Sequence, residues 1–244
     1  MALFNKPTGN DALTESDNTG GIKWITERHV ACVFVLDTSG SMTVNDAIGK
    51  LNEGIRTFKQ QTMSQVEFDE HTKACIDVAF VTFGPDVKMV QDFMAVSDMT
   101  PPTLTAGGMT PLGGALNLAL DMITQHKARY NELGTPYYRP WVFCITDGEP
   151  NDEYEAAARR LKQMEQGKKV LGYCVGVESF NEKTVATIFD HERIFKLENL
   201  NFPALFKFLS NSLAVVRNSD GGDTAGGSVK VDAPGDLHKI TLSI

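Results

Sequence analysis

Val30-Ala31-Cys32-Val33-Phe34-Val35-Leu36 runs without a break into Asp37-Thr38-Ser39-Gly40-Ser41-Met42. The run Val30 to Leu36 is short, wholly apolar and rich in Val and Phe, which predicts a strand buried on both faces. The residues after it place one carboxylate and two hydroxyls at alternate positions, Asp37, Ser39 and Ser41, in the loop at the strand's carboxyl end. In open α/β sheets, ligands bind in the crevice outside that end. Hard oxygen donors with a negative charge suit a hard divalent cation, Mg²⁺ before Ca²⁺ or Zn²⁺.

Outward from this point, strands and helices alternate. Ile48, Leu51, Ile55 and Phe58 recur at helical spacing. Cys75–Phe83 predicts a second strand, Gly84-Pro85-Asp86 a turn, and Val87–Phe93 a short hairpin partner kept polar by Lys88, Gln91 and Asp92. A Pro-, Thr- and Gly-rich loop from Thr100 to Pro111 leads into a helix carried by Leu112, Leu116, Ala119, Leu120 and Ile123. Trp141–Thr146 predicts a strand, followed by a helix through Ala156, Ala157, Leu161 and Met164 with Asp152 as its cap. Val170–Val177 and Arg193–Leu197 predict two further strands. From Phe202, the residues Leu205, Phe206, Leu209, Leu213 and Val216 share one helical face. The expected fold class is α/β: a Rossmann-like, doubly wound, mostly parallel sheet with one antiparallel edge strand and helices on both faces.

Residues 1–27 read as a polar N-terminal arm, 28–217 as the α/β domain and 218–244 as a glycine-rich flexible tail. Ser219–Asp236 holds five glycines and no aromatic residue. His238–Ile244 alternates and suits an added strand, on this sheet or on a partner's. With 244 residues and 42% hydrophobic composition, the chain can bury one substantial core. A net charge of -8 argues against nucleic-acid and acidic-lipid surfaces as partners. No apolar stretch approaches the roughly 20 residues of a membrane span, and the polar start has no apolar signal core, so the expected location is cytoplasmic. Cys32, Cys75, Cys144 and Cys174 lie in apolar runs without close pairing, as core-filling thiols do.

Three loops carry the chemistry. They are Asp37-x-Ser39-x-Ser41, the segment Ala106-Gly107-Gly108-Met109-Thr110-Pro111, and Thr146-Asp147-Gly148-Glu149-Pro150. A doubly wound sheet gathers all three at one end. With the first strand central and the Trp141 strand beside it, Asp37 and Asp147 approach each other. Two carboxylates sharing a crevice repel unless a cation lies between them. Ser39, Ser41 and Thr110 add three hydroxyl oxygens to such a shell. His29, His71, His126, His191 and His238 show no metal-ligand spacing and fall outside the three loops.

The apolar strand ending in Asp-Thr-Ser-Gly-Ser-Met, the Gly-Gly-Met-Thr-Pro loop and the strand ending in Ile145-Thr146-Asp147-Gly148 together resemble a von Willebrand factor type A domain. The resemblance spans roughly residues 28–217. It implies a metal-ion-dependent adhesion site at Asp37, Ser39, Ser41, Thr110 and Asp147, some binding the metal directly and others through water. The implied ion is Mg²⁺, with Mn²⁺ or Ca²⁺ as further candidates. Thr100–Leu104 and Tyr137–Trp141 are also similar to bacterial cytoplasmic tellurium-resistance Y-type proteins, which are encoded with kinase and phosphatase partners. Val44 departs from the small residue that many members carry there, and a Cys-rich C-terminal extension found in some members is absent.

Two functions follow as expectations. In the first, the chain is a binding module, not an enzyme, whose metal captures an Asp or Glu of a partner protein, in a stress-response or defence setting. In the second, the same crevice is a Mg²⁺-dependent phosphatase or phosphotransferase. The second needs an acid or base beside the metal, and the sequence offers only Glu149 and Asp152; the position two after Asp37, often acidic in phosphotransferases, is Ser39.

Overall fold

The computed structural model describes residues 27–64, 70–177, 180–203, 205–207, 209 and 237–239. The expected arm up to residue 26, the segment 218–236, Leu213 and Val216 lie outside the described residues.

Seven strands form one sheet: β1 (Val30–Asp37), β2 (Ile76–Phe83), β3 (Lys88–Ala95), β4 (Trp141–Thr146), β5 (Leu171–Val177), β6 (Ile194–Leu197) and β7 (Leu237–Lys239). Their order is β3-β2-β1-β4-β5-β6-β7. β1 pairs in parallel with β2 on one side and β4 on the other, so the winding direction reverses at β1. β3 is the expected antiparallel edge. The opposite edge ends in β7, also antiparallel, which resolves the open choice for the His238 region in favour of this sheet.

Five helices surround the sheet: α1 (Ala47–Ser64), α2 (Glu70–Ala74), α3 (Leu112–Leu133), α4 (Glu155–Gln166) and α5 (Glu182–Ile188). The positions 202, 203, 205–207 and 209 are helical as well. α2 and α5 are short helices to which the sequence reading assigned no residues. A Pro-free polar-apolar mixture over five and seven residues carries too little periodicity to be recognised. No helix among the described residues is long and apolar enough to cross a membrane.

Strand alternation divides the core in two. Val30, Cys32, Phe34 and Leu36 of β1 face one layer with α1 and the Phe202–Leu209 region. Ala31, Val33 and Val35 face the other layer with α3, α4 and α5. All eight β1 residues are buried, because helices cover both faces and strands cover both edges. Phe34 anchors the first layer, stacked on Phe80 at 5.3 Å and edge-on to Phe58 at 5.4 Å. Gly54 of α1 permits close approach there, since a Cβ would lie 2.6 Å from Phe202 Cβ.

One polar cluster interrupts this core at the amino end of the sheet. Asp77 on β2 is fully buried, and its Oδ2 lies 2.7 Å from His29 Nδ1 and 3.5 Å from His126 Nε2. The Tyr130 hydroxyl donates to the same oxygen. His126 stacks on Phe93 with centroids 4.2 Å apart. Burial alone would lower the His29 pKa, but the Asp77 hydrogen bond and charge outweigh it and hold the imidazole up at about 10. Burial raises the Asp77 carboxyl, and the two histidines more than reverse that, leaving it below the ordinary range. The sequence signal was a lone charged residue inside the apolar Cys75–Phe83 run, which the strand reading passed over.

A raised histidine pKa stabilises the fold fully below its unfolded value near 6.5 and loses that contribution as pH rises through about 10. The free energy of unfolding is therefore expected to fall from neutral pH toward pH 10 by at most about 1.4 kcal/mol per pH unit. In His29→Gln the same urea titrations should show a visibly flatter profile; parallel profiles would remove His29 as the titrating group.

Candidate functional site

β1 and β4 end side by side at the reversal of winding, and their last residues deliver the first and third loops to one crevice. Asp37 closes β1 and is fully buried. Its Oδ1 accepts the backbone N–H of Ser39 at 2.8 Å, and its Oδ2 accepts the Thr146 hydroxyl at 2.6 Å. Ser39 and Ser41 lie on one side of the loop, with their hydroxyl oxygens 2.9 Å apart. The Ser41 hydroxyl donates to Asp147 Oδ1 at 2.7 Å. Asp37, Ser39, Ser41 and Asp147 thus form one linked group of oxygens that runs from the core to the surface.

Thr110 sits in the second loop, which hydrogen bonds tie to the first and the third. Its loop is tied to the first by Gly107 N–H donating to Thr38 O at 2.7 Å and Gly40 N–H donating to Gly108 O at 3.2 Å. It is tied to the third by Thr110 N–H donating to Asn151 Oδ1 at 2.9 Å and Asn151 N–H donating to Thr110 O at 3.1 Å. A Cβ at Gly148, next to Asp147, would stand 3.4 Å from Thr110 Oγ1, which brings Thr110 to the third loop. Gly108 is required where it stands. Its φ of +75° is left-handed, and a Cβ would meet the Pro85 backbone at 2.4 Å.

After Ser41, a short 3₁₀ segment over Gly40–Asp46 precedes α1. It breaks at Val44 and Asn45, and Val44 is exposed, so the larger residue there faces solvent without disturbing the loop oxygens. Asn151, not foreseen as a site residue, is the clamp between the second and third loops. Its signal was weak, because one amide in a polar loop has many ordinary uses.

Asp152 caps a different helix from the one expected. Its carboxylate accepts Gly113 N–H at 3.0 Å and Gly114 N–H at 2.8 Å, at the start of α3 rather than α4. Those N–H groups have no partner within α3, whose Pro111 and Leu112 start offers no capping side chain. Glu149 receives a hydrogen bond from Asn181, the cap of α5. Tyr137 and Trp141 pack within the protein, against Tyr130 and Tyr173 respectively. Arg160 ties α4 to Asp121 of α3 at 2.6 Å.

The electrostatics concentrate on Asp37. Burial pushes its carboxyl up to about 6, the hydrogen bonds from Ser39 and Thr146 oppose this, and the nearby Asp147 charge adds to it. Its direct partners are neutral donors. Among the described residues, no three His, Cys, Asp or Glu side chains form a metal-binding cluster. The donors present are two carboxylates and neutral hydroxyls, all oxygen, which is the chemistry of a hard divalent cation rather than of a zinc-thiolate or imidazole site.

This fold, with these three loops at one end of a doubly wound sheet, defines a family. The family model for the von Willebrand factor type A domain matches residues 32–208, and the chain belongs to that family. Comparison with curated proteins finds no match. Among solved structures, proximal thread matrix protein 1 from the mussel byssus is similar at 18% identity and a TM-score of 0.53, over 78% of this chain and 47% of that one. A structure of the same mussel protein with a zinc-occupied metal-ion-dependent adhesion site motif matches at 18% identity and 0.50, over 78% and 46%. The pilus adhesin SpaC from Lactobacillus rhamnosus GG matches at 11% identity and 0.58, over 77% and 31%. The chain thus corresponds to about half or less of these proteins, and the likeness is one of fold.

Asp152→Ala is expected to lower stability by about 1 kcal/mol, the usual worth of a helix N-cap. Urea unfolding checks the magnitude, and amide hydrogen exchange at Gly113 and Gly114 should quicken while α4 stays protected. Faster exchange in α4 with α3 unchanged would return the cap to the helix the sequence suggested.

Proposed function

We propose that Asp37, Ser39, Ser41, Thr110 and Asp147 hold one Mg²⁺, and that the chain is a metal-dependent protein-binding module whose partner presents an Asp or Glu carboxylate. The observation that carries this reading is the buried Asp37 carboxylate, joined through Ser39 and Ser41 to the second carboxylate of Asp147. A buried carboxylate with only neutral partners is costly, and a cation beside it removes the cost. When bound, Mg²⁺ supplies a positively charged centre with exchangeable water positions. Thr146 and the Ser39 N–H orient Asp37. Exposed Ser41 and partly exposed Thr110 and Asp147 keep the outer side open to a partner. Mn²⁺ or Ca²⁺ would use the same oxygens, and the mussel protein's motif is occupied by zinc.

The setting we infer is cytoplasmic and bacterial, a stress-response or defence system like tellurium resistance, with a kinase or phosphatase encoded nearby as the candidate partner. The pieces of that setting rest on the sequence resemblance. The reading as a binding module rather than a phosphatase has support in the site. Both Asp152 oxygens are taken up by α3 N–H groups, and Glu149 is held by Asn181. Neither is a free acid or base beside Asp37.

Mg²⁺ should raise the melting temperature of the full chain. A ligand at a hundred times its Kd adds about 2.7 kcal/mol to the native state. The shift is expected to vanish in Asp37→Ala and in Ser41→Ala, the latter removing an exposed hydroxyl whose loss the fold tolerates. A wild-type melting curve indifferent to Mg²⁺, Mn²⁺ and Ca²⁺ would end the metal reading. Parallel affinity captures in Mg²⁺ and in EDTA then read the partner side: a protein retained only with metal, and released by Asp37→Ala, is the expected outcome.

For domain organisation we propose 28–217 as the folded unit. β7 adds only three residues at the sheet edge, so a chain ending at residue 217 should stay cooperative in unfolding, with a small loss of stability. Loss of cooperative unfolding would extend the domain to the C-terminus.

A further inference from the structure

A second concavity lies at the carboxyl end of the sheet, between the start of α1 and the end of β6, apart from the Asp37 crevice. It is an open hollow of about 700 Å³ lined by Asn45, Lys50, Lys196, Glu198, Asn199 and two leucines. That volume falls in the range of small-molecule sites. We propose that it binds a small organic dianion, a phosphate monoester or a dicarboxylate carrying an apolar body.

Charge is the first argument. Lys50 and Lys196 share this cavity, both are partly buried, and among the described residues neither makes an ion pair. Glu198 is the only acidic residue in the lining, and it is exposed with contacts of its own. With Glu198 counted, the lining still carries one excess positive charge, against a net charge of -8 for the chain. One dianion in this hollow takes charge-assisted hydrogen bonds from both lysines.

The wall chemistry gives the second argument. Asn199 offers an amide donor, and the buried Leu197 and Leu200 give apolar wall. A few polar groups over an apolar base is the usual make-up of a small-molecule site.

Backbone strain gives the third. The non-glycine residues with left-handed φ among the described residues are Asn45, Asp46, Lys168, Asn199 and Leu200, and all but Asp46 and Lys168 line this cavity. Leu200 at φ 52° is the least expected of them, since a bulky γ-branched side chain gains nothing in that region. Strain gathered in two separate segments around one hollow marks a shaped site.

The test uses the ¹⁵N-labelled full chain in EDTA at physiological salt, so that no metal takes part. The probes are phenyl phosphate, phthalate and neutral benzyl alcohol. The dianions should give saturable amide shifts centred on Asn45, Lys50, Glu198 and Asn199, and benzyl alcohol none. The double variant Lys50→Gln/Lys196→Gln should bind at least roughly tenfold more weakly. Each single variant should lie between, which keeps the test open if the double variant loses its fold. Saturation by one dianion and not the other supports the site and identifies which acid it takes. Ser41→Ala should bind as the wild type does, so the fate of the metal site does not decide this one. Shifts spread over the lysine-bearing surface, equal binding by the double variant, or loss of binding in Ser41→Ala would overturn the proposal.

Discussion

The arrangement of this protein depends on one carboxylate that has no contact with water. Asp37 is the last residue of a strand covered on every side, and the chain cannot move it outward without breaking the pairing of β1 with β2 and β4. What surrounds it must therefore come to it. The Thr146 hydroxyl does so from the end of β4, and the N–H of Ser39 does so from the turn that follows. The second loop is then pulled in by backbone bonds at Thr38 and Gly40, and its approach demands a glycine at position 108. The ends of β1 and β4 thus keep a buried anion supplied with donors, and the second loop closes over the same end of the sheet.

Asp77 offers an internal comparison. Both aspartates are fully buried, and both sit on central strands of the same sheet. In the register of β1 with β2, Asp77 lies opposite Ala31 at the amino end, and Asp37 lies opposite Phe83 at the carboxyl end. Asp77 is met by two imidazoles and a phenol, and its carboxyl is held below the ordinary range. Asp37 is met by neutral donors and a second carboxylate nearby, and its carboxyl is raised. The same residue type at the same depth is thus finished in one place and left anionic without a counter-charge in the other. Charge left uncompensated by the chain itself is what distinguishes a ligand-ready group from a structural one.

The fold class was legible because long apolar strands and periodic helices carry strong local signals. Val30–Leu36, Trp141–Thr146 and the α1 and α3 apolar positions needed no tertiary information. The convergence of Asp37, Ser39, Ser41 and Asp147 was legible for a different reason: order of elements and strand context confine loop ends to one side of a parallel sheet. What escaped depends on contacts between segments distant in sequence. The Asp152 cap needed knowledge that the third loop passes over the start of α3. The His29–Asp77–His126–Tyr130 cluster needed three segments to meet, though a lone Asp in a β2 apolar run was visible. Asn151 as a clamp had no signal beyond its neighbours.

The balance of carboxylates and hydroxyls in the proposed site bears on what it can accept. Two carboxylates neutralise a divalent cation, and Ser39, Ser41 and Thr110 contribute oxygen without further charge. Had Glu149 or Asp152 turned toward Asp37, a third anion would already be in place, and an incoming carboxylate would meet repulsion. The structure directs both elsewhere, one to Asn181 and one to the N–H groups of α3. Asp152 thus satisfies orphan backbone donors of α3, Asn181 caps α5 through its amide oxygen and holds Glu149 through its amide nitrogen, and both acidic side chains stay out of the position that an acidic partner would need.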